Sequence, residues 1–199
     1  RMKILMINPN TSEIFTEKVQ AIATQYASPG TIVKAVNPTS GPRSIESVYD
    51  ELLSSPGTLQ TVIENLDDYD AFVMACFSDH PTVYAAREIT DKPVMGIAEA
   101  AMHIACMLGY KFSIVTTNKE WEPLLWDGVK HYGLAERCAS VRSSGMAVLE
   151  LEEASPERTY QLIRDNAQLA LEQDGAEVIV LGCAGMTGLV KSLEKDLGV

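Results

Sequence analysis

Tyr69-Asp70-Ala71-Phe72-Val73-Met74-Ala75-Cys76 and, 107 residues further on, Gly175-Ala176-Glu177-Val178-Ile179-Val180-Leu181-Gly182-Cys183 are two copies of one pattern. Each is a short, unbroken apolar run closed by a small residue and a cysteine. Runs without polar alternation suit parallel strands covered on both faces. A second pair agrees: Lys3-Ile4-Leu5-Met6-Ile7 and Lys111-Phe112-Ser113-Ile114-Val115 stand 108 apart, and Asn10 and Asn118 keep that offset. Helical patterns precede both cysteine-ended runs. In the second copy Ser155 is the N-cap, Pro156 and Glu157 open the helix, and Asp174-Gly175 stop it. Offsets that agree across two elements read as an internal duplication.

Working outward, strands alternate with helices. Asn8-Pro9-Asn10-Thr11-Ser12 is a turn and cap cluster, after which Phe15, Val19, Ile22 and Tyr26 form one helical stripe. Residues 31–36 read as a strand, 56–66 as a helix, 93–97 as a fourth strand and 99–108 as an apolar helix. The pattern predicts an α/β fold with parallel sheets: an N-terminal lobe over 1–98, a linking helix over 99–110 and a C-terminal lobe over 111–199. Adding 107 to Pro93 runs just past Val199, so the second lobe is expected to lack its last strand and helix.

Composition removes several classes of function. The 199 residues hold 16 Lys and Arg against 27 Asp and Glu, a formal charge of −11, which repels phosphate backbones and anionic membranes. No apolar run approaches a membrane span of about 18 residues. Arg1 ahead of Met2 reads as an added residue, and no signal-peptide core comes after it. The four cysteines are too scattered for a disulfide framework, so a reducing cytoplasm is the expected location. A dinucleotide is disfavoured, because Pro9 stands where a Gly-x-Gly-x-x-Gly turn would follow the first strand. No spacing of metal ligands is evident, and neither is a placed lysine with a phosphate cup for pyridoxal, so no cofactor and no metal are expected.

Ligands of open α/β sheets bind outside the carboxyl ends of the strands. Cys76 and Cys183 stand there, and a helix N-terminus nearby would lower a thiol's pKa from about 8.5 toward neutrality. One cysteine after a strand reads as a small buried hydrophobe; a matched pair in two repeats reads as chemistry. Racemising a carbon acid requires removing a proton from one face and returning one to the other, so a thiolate and a thiol on opposite sides would suffice.

The chain resembles the aspartate/glutamate/hydantoin racemase superfamily, and within it the hydantoin and allantoin racemase branch. The resemblance rests on Ile7-Asn8-Pro9-Asn10-Thr11-Ser12, Ala75-Cys76-Phe77-Ser78-Asp79, Gly96-Ile97-Ala98-Glu99-Ala100-Ala101-Met102-His103, Phe112-Ser113-Ile114-Val115-Thr116-Thr117 and Val180-Leu181-Gly182-Cys183-Ala184-Gly185-Met186. It implies two pseudosymmetric, Rossmann-like lobes with parallel four-stranded sheets and an active site in the cleft between them. It further implies cofactor-independent racemisation of a 5-substituted hydantoin ring, allantoin included, with Cys76 and Cys183 as the bases. The ring's C5 lies beside a carbonyl, and backbone donors can hold the enolate. Amino-acid racemases of the superfamily carry Cys-Asn-Thr at these strand ends. Phe77-Ser78 and Ala184-Gly185 stand here instead, which disfavours free aspartate or glutamate. Hydantoin racemases carry Gly-Asp-Pro after Cys-Phe, whereas this chain has Ser78-Asp79-His80-Pro81.

The expected substrate-binding set is Asn10, Ser44, Phe77, Ser78, Thr116, Thr117, Ala184 and Gly185. Asn10 reads either as a ring contact or as a helix cap, and Phe77 and Met186 either as pocket wall or as core. His80, before a proline, reads as a solvated turn residue. His103 and Cys106 read as buried in an apolar helix, Cys138 as a strand-start residue without a partner motif, and His131 as surface. The partner is a small hydantoin-type molecule, with no nucleic acid and no membrane, and the sequence allows a homo-oligomer. Two other functions stay open: a one-cysteine isomerase or decarboxylase of the same superfamily, and a two-lobed small-molecule binding protein.

Overall fold

The computed structural model describes residues 1–147 and 150–199, and the side chains of Glu152 and Ala184 lie outside the described residues. The chain forms two compact units, Arg1–Ile97 and Ala98–Val199.

In the first unit β1 (Lys3–Ile7), α1 (Glu13–Tyr26), β2 (Ile32–Val36), α2 (Val48–Glu64), β3 (Ala71–Met74), α3 (Pro81–Ile89) and β4 (Val94–Gly96) succeed one another. The four strands are parallel in the order β2-β1-β3-β4. Leu5, Ile7, Phe72 and Met74 pack with Val62 of α2 and with Val83 and Ala86 of α3 as the core of one sheet face. The alternate residues Ile4, Met6 and Val73 are only half-buried, so one face carries most of this unit's hydrophobic burial. Helix α2 begins well before the 56–66 expected from sequence. Its N-cap is Ser47, whose hydroxyl accepts the Asp50 N–H at 3.2 Å while the Asp50 carboxylate accepts the Glu46 N–H at 2.9 Å. Pro56 therefore sits inside the helix and removes one backbone bond. In the preceding turn the hydroxyls of Ser54 and Ser55 donate to the Glu51 carbonyl at 2.8 and 2.7 Å, adding bonds where the ladder is weakened.

The second unit continues with α4 (Ile97–Leu108), β5 (Phe112–Thr116), α5 (Trp121–His131), β6 (Cys138–Ser143), α6 (Glu150–Glu153), α7 (Pro156–Gln173), β7 (Val178–Leu181), a 3-10 helix (Ala184–Leu189) and α8 (Val190–Leu197). Its sheet is parallel in the order β6-β5-β7, three strands among the described residues. Every residue of β5 is buried, as a doubly covered strand requires. Ser155 caps α7 through the Arg158 N–H, with Pro156 at the first position, as read from sequence. The Arg142 guanidinium grips Asp174 with two bonds, at 2.6 and 2.9 Å, and Ser140 donates to the same carboxylate, so the end of α7 is fixed to β6. The Arg137 guanidinium donates to the carbonyls of Cys106, Gly109 and Tyr110, satisfying groups that the end of α4 leaves open. Helix α4 is less buried than its composition predicts. Met107 is 77% and Leu108 73% exposed, and His103 is exposed as well.

The two sheets repeat each other at the level of single bonds. Ile4 pairs with Ala71 and Ile7 with Met74; Phe112 pairs with Val178 and Val115 with Leu181. Both registers keep the offsets of 108 and 107. The entry bonds repeat too: Asp70 accepts the Lys3 N–H, and Glu177 accepts the Tyr110 N–H, both at 2.7 Å.

Candidate active site

Each cysteine stands on the second residue past the end of its strand, after one residue that is still bonded to the central strand. The Ala75 N–H donates to the Ile7 carbonyl at 2.8 Å, and the Gly182 N–H to the Val115 carbonyl at 2.7 Å. Cys76 and Cys183 come next, both reduced and half-buried.

Around Cys76, the loops at the carboxyl end of the first sheet are tied to one another. The Asn8 amide donates to Asn10 Oδ1 at 2.7 Å, and Asn10 Oδ1 also accepts the Ser12 N–H at 2.9 Å. Asn10 thus shapes its loop and leaves its own amide nitrogen as a donor, while the cap of α1 is Ser12. The Thr11 N–H donates to the Pro42 carbonyl at 3.0 Å, which fastens this loop to the segment carrying the half-buried Ser44. Phe77 is buried. Ser78, 2% exposed, donates from its backbone N–H to the Cys76 carbonyl at 3.0 Å and from its hydroxyl to Cys76 Sγ at 3.7 Å. Glu51 of α2 is half-buried, and burial, followed by the negative charge of Asp79, raises its pKa.

His80 is not the solvated turn residue its sequence context predicts. It is 1% exposed and is the N-cap of α3. Its Nδ1 accepts the Thr82 N–H at 3.2 Å, and its Nε2 lies 2.8 Å from Ser54 Oγ, whose own proton goes to the Glu51 carbonyl. These partners fix the neutral tautomer with hydrogen on Nε2. Burial lowers its pKa to about 4, so near neutrality it is an uncharged donor and not a base. The neighbouring proline hid this, because the burial is supplied by α2, which is remote in sequence.

The carboxyl end of the second sheet carries Thr116, Thr117 and Ser144. Thr116 and Thr117 are buried. Their carbonyls accept the Ser144 and Gly145 N–H groups at 2.9 Å, and the Thr117 hydroxyl donates to Asn118 Oδ1 at 3.1 Å. Cys183 is the N-cap of the 3-10 helix, and its carbonyl accepts the Met186 N–H at 3.0 Å. It leans on a core of Val115, Ile163 and Met186, so Met186 is core. Gly185 is half-buried; the Ala184 side chain lies outside the described residues. Of the remaining cysteines, Cys138 opens β6, and burial pushes its thiol up to about 12, which removes it from nucleophilic or acid/base work. Cys106 is half-buried on α4. Among the described residues no group of three or more His, Cys, Asp or Glu is placed to hold a metal ion, and no helix is long and apolar enough to cross a membrane.

The chain is thus built of two parallel α/β units, each with a cysteine past the same strand. The family model for Asp/Glu/hydantoin racemases matches residues 4–199. The chain is 45% identical over 199 residues to a hydantoin racemase of Pseudomonas sp. (strain NS671), covering all of this chain and 79% of that one. It is 40% identical over 200 residues to a hydantoin racemase of Paenarthrobacter aurescens, covering 100% and 84% of the two chains. The solved structure of an allantoin racemase from Klebsiella pneumoniae superposes with a TM-score of 0.95 at 39% identity, covering 100% of this chain and 81% of that one. The chain belongs to the Asp/Glu/hydantoin racemase family.

Proposed function

We propose that this racemase acts on 5-substituted hydantoins, allantoin included, and that Cys76 and Cys183 are its two acid/base groups. One thiolate takes the C5 proton while the other thiol delivers its proton to the opposite face; the roles exchange for the other enantiomer. The proton removed stays on the first sulfur and the second sulfur is left as the thiolate, so one turnover inverts both the carbon and the protonation state of the pair. The observation that carries this reading is the repeated register, which sets a cysteine at the same step past the same strand in both units. The substrate class is supported by the relatives, which are named as hydantoin and allantoin racemases.

On this reading Asn10, Ser44 and Phe77 contact the ring from the first unit, and Thr116, Thr117, Ala184 and Gly185 from the second. Ser78 serves the ring through Cys76, because its N–H and hydroxyl are turned to that residue. The chemistry needs no cofactor: an enolate next to a carbonyl requires only hydrogen-bond donors and two proton carriers. It does need reduced thiols, which fits a cytoplasmic setting.

The test is incubation of an enantiopure 5-substituted hydantoin in D2O, following C5–H by NMR together with optical rotation. Loss of the proton signal in step with loss of rotation is expected. Exchange with full retention of rotation would favour the one-cysteine isomerase, and no exchange would remove the hydantoin-racemase reading.

A further inference from the structure

We infer that His80 is a positioning residue, which holds the Ser78 hydroxyl against Cys76 by tying the passage over residues 77–80 to Ser54 of α2. This rests on Cys76 being one of the two proton carriers proposed above. The contacts form a continuous chain. It starts at Cys76, whose carbonyl accepts the Ser78 N–H at 3.0 Å and whose Sγ lies 3.7 Å from the Ser78 hydroxyl. Two residues later His80 ends the passage. Its Nε2 meets Ser54 Oγ at 2.8 Å, and its carbonyl accepts the Val83 N–H at 3.1 Å. Ser54 is fixed in its turn: its hydroxyl donates to the Glu51 carbonyl and its carbonyl accepts the Thr58 hydroxyl, each at 2.8 Å. Ser54 and Thr58 are both buried, four residues apart on one face of α2. The Thr58 hydroxyl also lies 3.5 Å from the Pro9 carbonyl, so the same stretch of α2 meets the loop that carries Asn8 and Asn10.

A cap alone does not call for histidine. Ser, Thr, Asp and Asn are the side chains that close a helix N-terminus, and capping α3 uses only Nδ1, which accepts the Thr82 N–H at 3.2 Å. The far nitrogen of the ring is what reaches α2. A bond at each nitrogen fixes the ring, and with it the path of the chain between Cys76 and α3. The imidazole is 1% exposed and uncharged near neutrality, so the bond to Ser54 joins two neutral groups away from water, and losing either partner leaves the other unsatisfied. A thiolate at Cys76 gains a charge-assisted bond from the Ser78 hydroxyl; if the passage shifts, that donor is lost. Cys183 instead opens the 3-10 helix of the second unit, so the tether belongs to one sulfur of the pair.

Two substitutions separate the two bonds of the ring. His80→Asn places an amide oxygen near the position of Nδ1 and stops short of Ser54. His80→Gln carries its amide nitrogen out toward the position of Nε2 and gives up the cap. Ser54→Ala removes the α2 end of the tether and leaves the cap untouched. The full chain is treated with iodoacetamide near neutral pH, and the rates at the Cys76 and Cys183 peptides are read by mass spectrometry. Cys76 should react about three- to tenfold more slowly in His80→Asn and in Ser54→Ala than in wild type. His80→Gln should recover most of the wild-type rate, and Cys183 should be unchanged throughout. The double variant His80→Asn/Ser54→Ala should be no slower than either single one, because both remove the same bond. In racemisation of a hydantoin, His80→Asn and Ser54→Ala should lose about 10- to 100-fold in kcat with KM within about twofold, since a misplaced proton carrier acts on the transition state. If His80 served the cap alone, His80→Asn would behave as wild type and His80→Gln would not. That ordering, an equal change at Cys183, or additive losses in the double variant would overturn the assignment. Alkylation does not depend on turnover, so the deuterium experiment above decides the racemase reading separately.

Discussion

Ala75 and Gly182 hold the same place in the two units, and they differ by one methyl group. In the first unit that methyl is buried. In the second, a Cβ on Gly182 would lie 2.9 Å from the Val115 carbonyl oxygen and 3.1 Å from Thr116 Cα. The strand frames therefore match in register while the approach to the two cysteines differs. The segments on the far side of the two cysteines differ more. Cys76 leads into a passage over residues 77–80 that sets His80 against Ser54 of α2, whereas Cys183 opens directly into a short 3-10 helix. The bonds that place a sulfur are alike in the two units, while the environment of each sulfur differs. A racemase must accept both enantiomers, so the two halves of its cycle need not be identical in rate.

The largest effect expected from breaking this comparison is chemical. Cys76→Ser and Cys183→Ser should each lower racemisation by about 10²–10⁴-fold, measured polarimetrically, whereas Cys138→Ala should leave turnover near wild type.

The next largest belongs to the first unit alone. The folded-state pKa of His80, about 4, lies below its ordinary 6.5, so between those values the unfolded chain holds a proton that the folded chain does not. Its contribution to stability is complete above pH 6.5 and declines as pH falls toward 4, by on the order of 3 kcal/mol in all. His80→Asn can keep the cap on α3 but should lose that slope, so urea unfolding at pH 7 and at pH 4.5 should differ less in the variant than in wild type.

Gly182→Ala tests the second unit. It should cost about 1–3 kcal/mol, because the nearest atom to the new methyl, at 2.9 Å, is a backbone oxygen. Gly188→Ala, with nothing within 4 Å, should change stability by less than about 0.5 kcal/mol. Thermal unfolding compares the two.

The smallest effect concerns Asp174, whose carboxyl is held below the usual carboxylate range by the Arg142 guanidinium. Asp174→Asn should cost about 1 kcal/mol near neutral pH, since the pair is partly exposed. That stability is present above the ordinary value of 3.8 and is lost as pH falls through the depressed one, so the difference from wild type should close in acid.

Much of this comparison was legible in the sequence, because strand patterns and offsets are local and countable. The 107 and 108 spacings reappear as pairing registers, and Ser155-Pro156 reappears as the cap of α7. The features that escaped it depend on contacts between elements. Pro56 masked the first turns of α2, although the Ser47 hydroxyl caps the Asp50 N–H three residues on. With those turns went Ser54, and so the burial of His80, 26 residues away in sequence. His103 is exposed because the apolar content of α4 says how much could be buried, not which residues are.

Whether two sulfurs divide one proton transfer is tested most directly by separating the halves. Each cysteine variant is incubated in D2O with each enantiomer of one hydantoin, and loss of C5–H is followed by NMR. Neither variant should racemise, and residual exchange, where present, should be confined to one enantiomer in Cys76→Ser and to the opposite one in Cys183→Ser. Full racemisation by either variant, or exchange of the same enantiomer by both, would contradict the two-sulfur division.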